Sequence, residues 1–127
     1  MAVAYLDTQV AVWLYYGKVR KLTREAARVI EARDLLLSPM AYLEFDYLLR
    51  ASRINHGAAT IYAGLNSTFG VSLCALPFAT VADLALENSW TTDPFDRIIV
   101  AQARANGNAP LITADETIAE HYPRAVW

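Results

Sequence analysis

Cysteine occurs once, at Cys74, inside the apolar run Val71-Ser72-Leu73-Cys74-Ala75-Leu76. No intrachain disulfide can form, which fits a reducing compartment such as the cytoplasm. A lone thiol in apolar surroundings reads as a small core residue, because a nucleophile wants an electropositive, partly exposed setting. Lysine is nearly missing, with Lys18 and Lys21 the only two. Positive charge as a whole is short: 11 Lys and Arg stand against 13 Asp and Glu, for a net charge of -2 and a pI of about 5.6. A bulk basic footprint for nucleic acid is thereby excluded, whereas a local basic rim is not. The five glycines are scattered and build no phosphate-cradling loop. No apolar run reaches the roughly 18 residues of a membrane helix. No basic segment precedes the first apolar run, so no signal peptide is expected. Repeats and low-complexity stretches are also absent, as is any Ser/His/Asp or Cys/His arrangement for nucleophilic catalysis.

What remains is a chain of 127 residues, 55% hydrophobic and 19% charged. That is enough for one domain, residues 1–127, with a sizeable core. Short apolar strands alternate with helical segments. Strands are expected at Val3–Leu6, Leu35–Leu37, Val71–Leu76 and Leu111–Thr113, with a final edge strand at Ala125–Trp127. Helices are expected over Thr8–Tyr16, Thr23–Ala32, Ser38–Ser52, Asn55–Thr68, Ala79–Asn88, Asp93–Asn106 and Asp115–His121. Ser38-Pro39 carries a serine cap with proline at the first helical position, and Asn106-Gly107 is a helix stop. The alternation predicts an α/β fold whose mostly parallel sheet of four or five short strands has helices on both faces. In such sheets sites lie at the carboxyl ends of the strands.

Five acids stand at those joints: Asp7, Glu44, Asp93, Asp96 and Asp115. Each has an ordinary use. Asp7, Asp93 and Asp115 are placed to cap helices, and Asp93 before Pro94 is the best cap of the three. Glu44, however, shares a helix face with Met40, Ala41, Tyr47 and Leu48, where a carboxylate is rarely buried without a partner. Asp96 shares a face with Ile99, Val100 and Ala103, which should pack on the sheet. Clustered carboxylates repel one another and are kept together mainly to hold a hard cation such as Mg²⁺ or Mn²⁺. Thr8 and Thr113 each lie next to an acid, so their hydroxyls are candidates to orient it.

Substrate contacts are harder to read. Arg97, next to Asp96, is placed either to touch a phosphate or to pair with an acid. Arg20, Lys21 and Arg24 form one small basic patch, and Arg50 and Arg53 another. Arg50, four residues after Asp46, suits a helix-surface ion pair. Trp13, Trp90 and Trp127 can stack on bases, although Trp13 sits in a helix, Val10–Tyr16, that is apolar nearly all round and is better suited to the core or an interface. His56 and His121 read as surface or capping residues.

Taken together and in this order, these segments resemble the PIN-domain nucleases, most closely the VapC-type ribonuclease toxins of toxin–antitoxin pairs. Tyr5-Leu6-Asp7-Thr8 resembles the family's opening strand and first acid. Ser38-Pro39-Met40-Ala41-Tyr42-Leu43-Glu44 is similar to its glutamate-bearing helix, and Leu111-Ile112-Thr113-Ala114-Asp115-Glu116 to its closing strand and last acid. The most specific piece is Asp93-Pro94-Phe95-Asp96-Arg97-Ile98-Ile99-Val100-Ala101-Gln102-Ala103. Ser89-Trp90-Thr91-Thr92 departs from the family in lacking the histidine and arginine often found there. The resemblance implies a three-layer α/β/α domain, with Asp7, Glu44, Asp96 and Asp115 as catalytic, metal-binding residues and Asp93 as part of a subgroup motif. It implies hydrolysis of RNA phosphodiesters with Mg²⁺ or Mn²⁺, by in-line attack that leaves a 5′-phosphate and a 3′-hydroxyl. It also implies two protein partners, a cognate antitoxin and a second copy forming a homodimer.

Other readings compete. A PIN nuclease of RNA processing would share every residue above without being a toxin. A receiver-type signalling domain also gathers aspartates at strand ends around Mg²⁺, but it needs a late lysine, and none follows Lys21. A non-catalytic binding domain has no use for a complete acidic quartet.

Overall fold

The computed structural model describes residues 2–127. Five strands form one sheet in the order β3-β2-β1-β4-β5, and every neighbouring pair is parallel. They are β1 (Val3–Leu6), β2 (Asp34–Leu37), β3 (Ser72–Leu73), β4 (Leu111–Ile112) and β5 (Ala125–Val126). Seven helices flank the sheet in a three-layer α/β/α arrangement: α1 (Thr8–Tyr15), α2 (Arg24–Ala32), α3 (Pro39–Arg50), α4 (Ala58–Phe69), α5 (Phe78–Ala85), α6 (Pro94–Ala105) and α7 (Glu116–His121). No helix among the described residues is long and apolar enough to cross a membrane.

Caps define the helix starts. Thr23 accepts from the Ala26 amide at 3.1 Å and Ser38 from the Met40 amide at 3.1 Å. Gly70, in the left-handed region at φ 69°, ends α4 as a glycine C-cap. The expected strand Val71–Leu76 shortens to Ser72–Leu73 because it pairs only with β2 and runs into Pro77. Its buried flanks still bond: the Val71 amide donates to Leu65 and the Cys74 amide to Leu37. A 3₁₀ turn at Val19–Lys21 fills the link after α1.

Of the two uses expected for α1, core or interface, the structure shows core packing. Val10, Ala11, Val12 and Leu14 are buried, and the helix packs on α3 and α4. Gly64 allows the close approach of α4, since a Cβ there would lie 2.7 Å from Tyr15 Cε1. Beneath the sheet's centre a polar chain crosses the core. Ser38 donates to Gln102 Oε1 at 2.9 Å, and Gln102 Nε2 donates to Cys74 Sγ at 3.1 Å. That sulfur lies 3.0 Å from the Tyr5 hydroxyl, which also accepts from Asn106 at 2.9 Å. Cys74 is therefore a core residue with polar partners, and burial pushes the Tyr5 phenol up.

From β1 the chain first builds outward through β2 and β3, then crosses to β4 and β5. The reversal falls between β1 and β4, and a crevice at their carboxyl ends is where an open parallel sheet binds its ligand. Asp7 follows β1 directly, and Thr113 follows β4.

Candidate active site

At that crevice lies a small acidic pocket of about 220 Å³, lined by Asp7, Glu44, Asp93, Asp96 and Asp115 together with Thr8, Gln9, Leu48 and Arg53. Larger clefts exist elsewhere on the surface, but none is lined by several acids. Five carboxylates face a single cation here. All four acids of the expected quartet, and Asp93 with them, are brought to one place by three helix starts, a strand end, the second turn of α3 and the first turn of α6.

Asp7 is the most buried acid, at 8% exposure. Its Oδ1 accepts from the Thr8 amide at 2.8 Å and its Oδ2 from the Thr113 hydroxyl at 2.6 Å. Thr113 in turn accepts from the Asp115 amide at 3.1 Å, so one buried hydroxyl ties the first acid to the last. The Thr8 hydroxyl donates to Glu44 Oε1 at 2.5 Å. Both threonines thus hold carboxylates in the way a supporting hydrogen bond orients a metal ligand. Asp115 caps α7 through the amides of Thr117 and Ile118, at 2.8 and 3.0 Å. Asp93 caps α6 through the Phe95 amide at 2.8 Å, the structural use expected for it.

The electrostatics match the crowding. Burial pushes Asp7 up, against the hydrogen bonds from Thr113 and Thr8, with repulsion from Asp115 and Asp93 adding to the rise. Burial raises Glu44 as well, offset by Thr8 and reinforced by Asp7 and Asp93. Asp96 moves furthest, to about 7, through burial and then repulsion from Asp93, Asp7, Asp115 and Glu44. Among the described residues, no three His, Cys, Asp or Glu side chains are gathered closely enough to cage an ion unaided. A hard divalent ion such as Mg²⁺ does not require a cage. It keeps several waters and takes about one or two carboxylates directly. An open pocket of oxygen donors with excess negative charge fits such an ion.

Other expected contacts fall differently. Arg97 is not in the pocket lining: its guanidinium donates to the carbonyls of Ala85 and Leu86, at 3.2 and 3.5 Å, and ties α6 to the end of α5. The carbonyls left free at the end of α5 hold it there, in place of the expected phosphate or acid. Arg50 pairs with Asp46 at 2.7 Å, the surface ion pair that its spacing suggests. Trp90 stacks on His121 at 4.8 Å between ring centroids, and Trp127 packs on Trp13 at 5.8 Å. Of the basic patch expected at Arg50 and Arg53, Arg53 alone lies in the pocket wall. Its position follows from how α3 ends, a left-handed turn at Ser52 with φ 58° that no glycine announces.

The sequence profile of the PIN domain matches residues 4–122. The chain belongs to the PIN domain family. Ribonuclease VapC22 of Mycobacterium tuberculosis is 29% identical over 134 residues, covering 99% of this chain and 98% of that protein. Two solved structures share the PIN fold across nearly the full length. One is a toxin–antitoxin complex from Klebsiella pneumoniae (TM-score 0.64, 19% identity, 98% of this chain and 96% of that one). The other is VapBC2 from Rickettsia felis bound to a DNA fragment from its promoter (TM-score 0.61, 16% identity, 97% and 95%). The PIN profile spans all five pocket acids, from Asp7 to Asp115.

Proposed function

We propose that this protein is a divalent-metal-dependent endoribonuclease that acts as the toxin of a toxin–antitoxin pair and is inhibited by a cognate antitoxin. The observation that carries the reading is the pocket lined together by Asp7, Glu44, Asp96 and Asp115, with Arg53 the one cation in its wall. The full-length likeness to Ribonuclease VapC22 supports the ribonuclease assignment. The likeness to toxin–antitoxin structures supports the partner.

In this reading Asp7, Glu44, Asp96 and Asp115 would hold Mg²⁺ or Mn²⁺, about one or two of them directly and the others through its waters. When bound, such an ion supplies an acidified water and neutralises charge that builds on the phosphoryl oxygens. Thr113 keeps Asp7 Oδ2 turned to its place in the pocket, and Thr8 does the same for Glu44. Burial and the neighbouring acids lift Asp96 to about 7, so a metal would compete with its proton and apparent metal affinity would rise with pH. A metal-assisted reaction has no need of the RNA 2′-hydroxyl as nucleophile. Preference for RNA then rests on strand shape and base stacking. A second copy of the chain is the other partner in this reading, tested by the mass in solution.

The test is cleavage of a panel of structured RNAs with Mg²⁺, with Mn²⁺ and with chelator, by the protein and by its Asp7→Asn and Asp96→Asn variants. Metal-dependent cutting that both variants lose is the expected result. Cutting that survives chelation or both substitutions would return the acids to helix capping.

A further inference from the structure

Beside the acidic pocket runs a second cleft of about 400 Å³, and Gln9, Leu48 and Arg53 line both. Its size falls within the range of roughly 300–1,000 Å³ typical of small-ligand sites. Its chemistry differs from the pocket's: Trp13 and Tyr16 supply ring surface, Lys18 and Arg53 supply charge, and Ile54 closes the wall. No acid is among its lining residues. The two side-chain ion pairs among the described residues join Arg28 to Glu25 and Arg50 to Asp46, so neither Lys18 nor Arg53 is tied up in an ion pair. The ammonium of Lys21, outside the cleft's lining, lies 5.6 Å from the Trp13 ring centroid.

The cleft is preformed. The Tyr16 hydroxyl accepts from the Asn55 amide at 3.1 Å, and its ring stacks on His56 at 5.7 Å with a 21° tilt. Arg53 is placed by the end of α3. The Ser52 amide donates to Leu49 at 3.0 Å and the Arg53 amide to Leu48 at 2.9 Å, the paired bonds of a Schellman turn. Such a turn wants a left-handed residue, and Ser52 adopts it at φ 58° without being glycine. The turn sets Arg53 on the wall shared by cleft and pocket.

We propose that this cleft is the track along which an unpaired RNA strand enters the acidic pocket, with Arg53 holding a phosphate beside the one that is cut and a base laid against Trp13. The proposal rests on the nuclease reading and names its substrate class. An anion brought beside five carboxylates needs cations on its approach, and this cleft places Arg53 and Lys18 there. Ring faces select a single strand, because a duplex keeps its base faces stacked within itself. The competing occupant is a protein segment, and the experiment separates the two.

The binding arm uses the Asp7→Asn protein, which should hold RNA without cutting it, and a fluorescent mixed-sequence oligoribonucleotide, single-stranded or annealed. Anisotropy is read across salt concentrations for this protein alone and with Arg53→Ala, Lys18→Ala or Arg50→Ala added, after each variant's melting temperature is checked. Loss of one strong phosphate contact should weaken single-strand binding about five- to twentyfold in Arg53→Ala. The slope of log K against log salt should fall by about 0.7. Arg50→Ala should bind as its parent does, and the annealed RNA should bind more weakly than the single strand. Single-strand binding that ignores Arg53, equal binding of the duplex, or no single-strand binding at all would overturn the track and leave the cleft to a protein segment. The cutting arm, wild type against Asp96→Asn with metal, reads the nuclease assignment alone. Failure there with Arg53-dependent binding intact would remove the reaction and keep the RNA cleft. Cutting by Arg53→Ala with unchanged KM would remove the track and keep the reaction.

Discussion

Asp96→Asn should make the metal-free protein more stable and the metal-loaded protein less stable than wild type. Asp96 is lifted from 3.8 to about 7 by burial and by four neighbouring acids. In a dry site, keeping that carboxylate ionised at pH 8 would cost about 4 kcal/mol. Asp96 is only half-buried, and solvent screening reduces the figure to about 1–2 kcal/mol. Its place in the first turn of α6 favours the charge by about 0.3–1 kcal/mol. Repulsion and burial still win, by about 1 kcal/mol, or roughly 3–5 °C for a domain of this size. The sign with pH follows from linkage. The folded value lies above the unfolded one, so the stabilising proton is fully present below about pH 4 and lost as pH rises through about 7. The excess stability of Asp96→Asn in chelator should therefore be near zero at pH 4–5 and grow to its full size by pH 8. Mg²⁺ or Mn²⁺ at about 100 times its Kd should add about 2.7 kcal/mol to the wild type. The variant should gain far less, so the order of stabilities reverses. Thermal melts with chelator and with metal, across pH 4.5–8.5, read all of this. A variant that melts lower than wild type in chelator at pH 8, or that gains as much from metal, would refute the account of the pocket as mutually repelling ligands.

Thr113→Val keeps the shape of a buried residue but removes the hydrogen bond to Asp7 and the acceptor for the Asp115 amide. It should destabilise the protein by about 1–3 kcal/mol. It should also weaken metal binding by about 10–100-fold, measured by calorimetric titration. Ser52→Gly relieves a left-handed serine and should raise stability by about 0.5–1 kcal/mol, with metal binding unchanged in the same titration. Gly64→Ala gains about 0.5–1 kcal/mol of helix propensity but drives a methyl into the Tyr15 ring. Overpacking of about 1–3 kcal/mol should win, and denaturant melts should show a net loss of about 1 kcal/mol.

The acids were legible in the sequence because their positions depend on local signals. Asp7 ends an apolar strand, Asp93 precedes a proline, and Asp115 follows Leu111-Ile112-Thr113. Once the alternation of strands and helices is recognised, the parallel sheet brings those ends together, and the profile match over residues 4–122 agrees with that order. Both arginines were noticed in the sequence, but the final places of Arg97 and Arg53 were not legible, for opposite reasons. Arg97 has an acid as its neighbour in sequence, yet carbonyls of α5, 11 and 12 residues earlier, take its guanidinium. Arg53 has no acid beside it in sequence, and only a left-handed serine turn carries it to the pocket wall. The shortening of β3 was equally hidden, since its apolar residues continue past the two that pair with β2. Burial of Val71 and Cys74 serves the core without extending the ladder.

The Thr113 hydroxyl between Asp7 and Asp115 makes the strand alignment part of the chemistry. β4 meets β1 with Leu111 opposite Tyr5 and Ile112 opposite Leu6, and the Asp7 amide continues the ladder to the Ile112 carbonyl. A slip of one residue would turn Thr113 to the other face of the sheet and strip both acids of their shared tether. The pocket therefore has no melting point of its own. Heating should leave ligand geometry intact until the β1–β4 seam opens, so heat inactivation and unfolding should be one event, without a milder, folded but idle state below it.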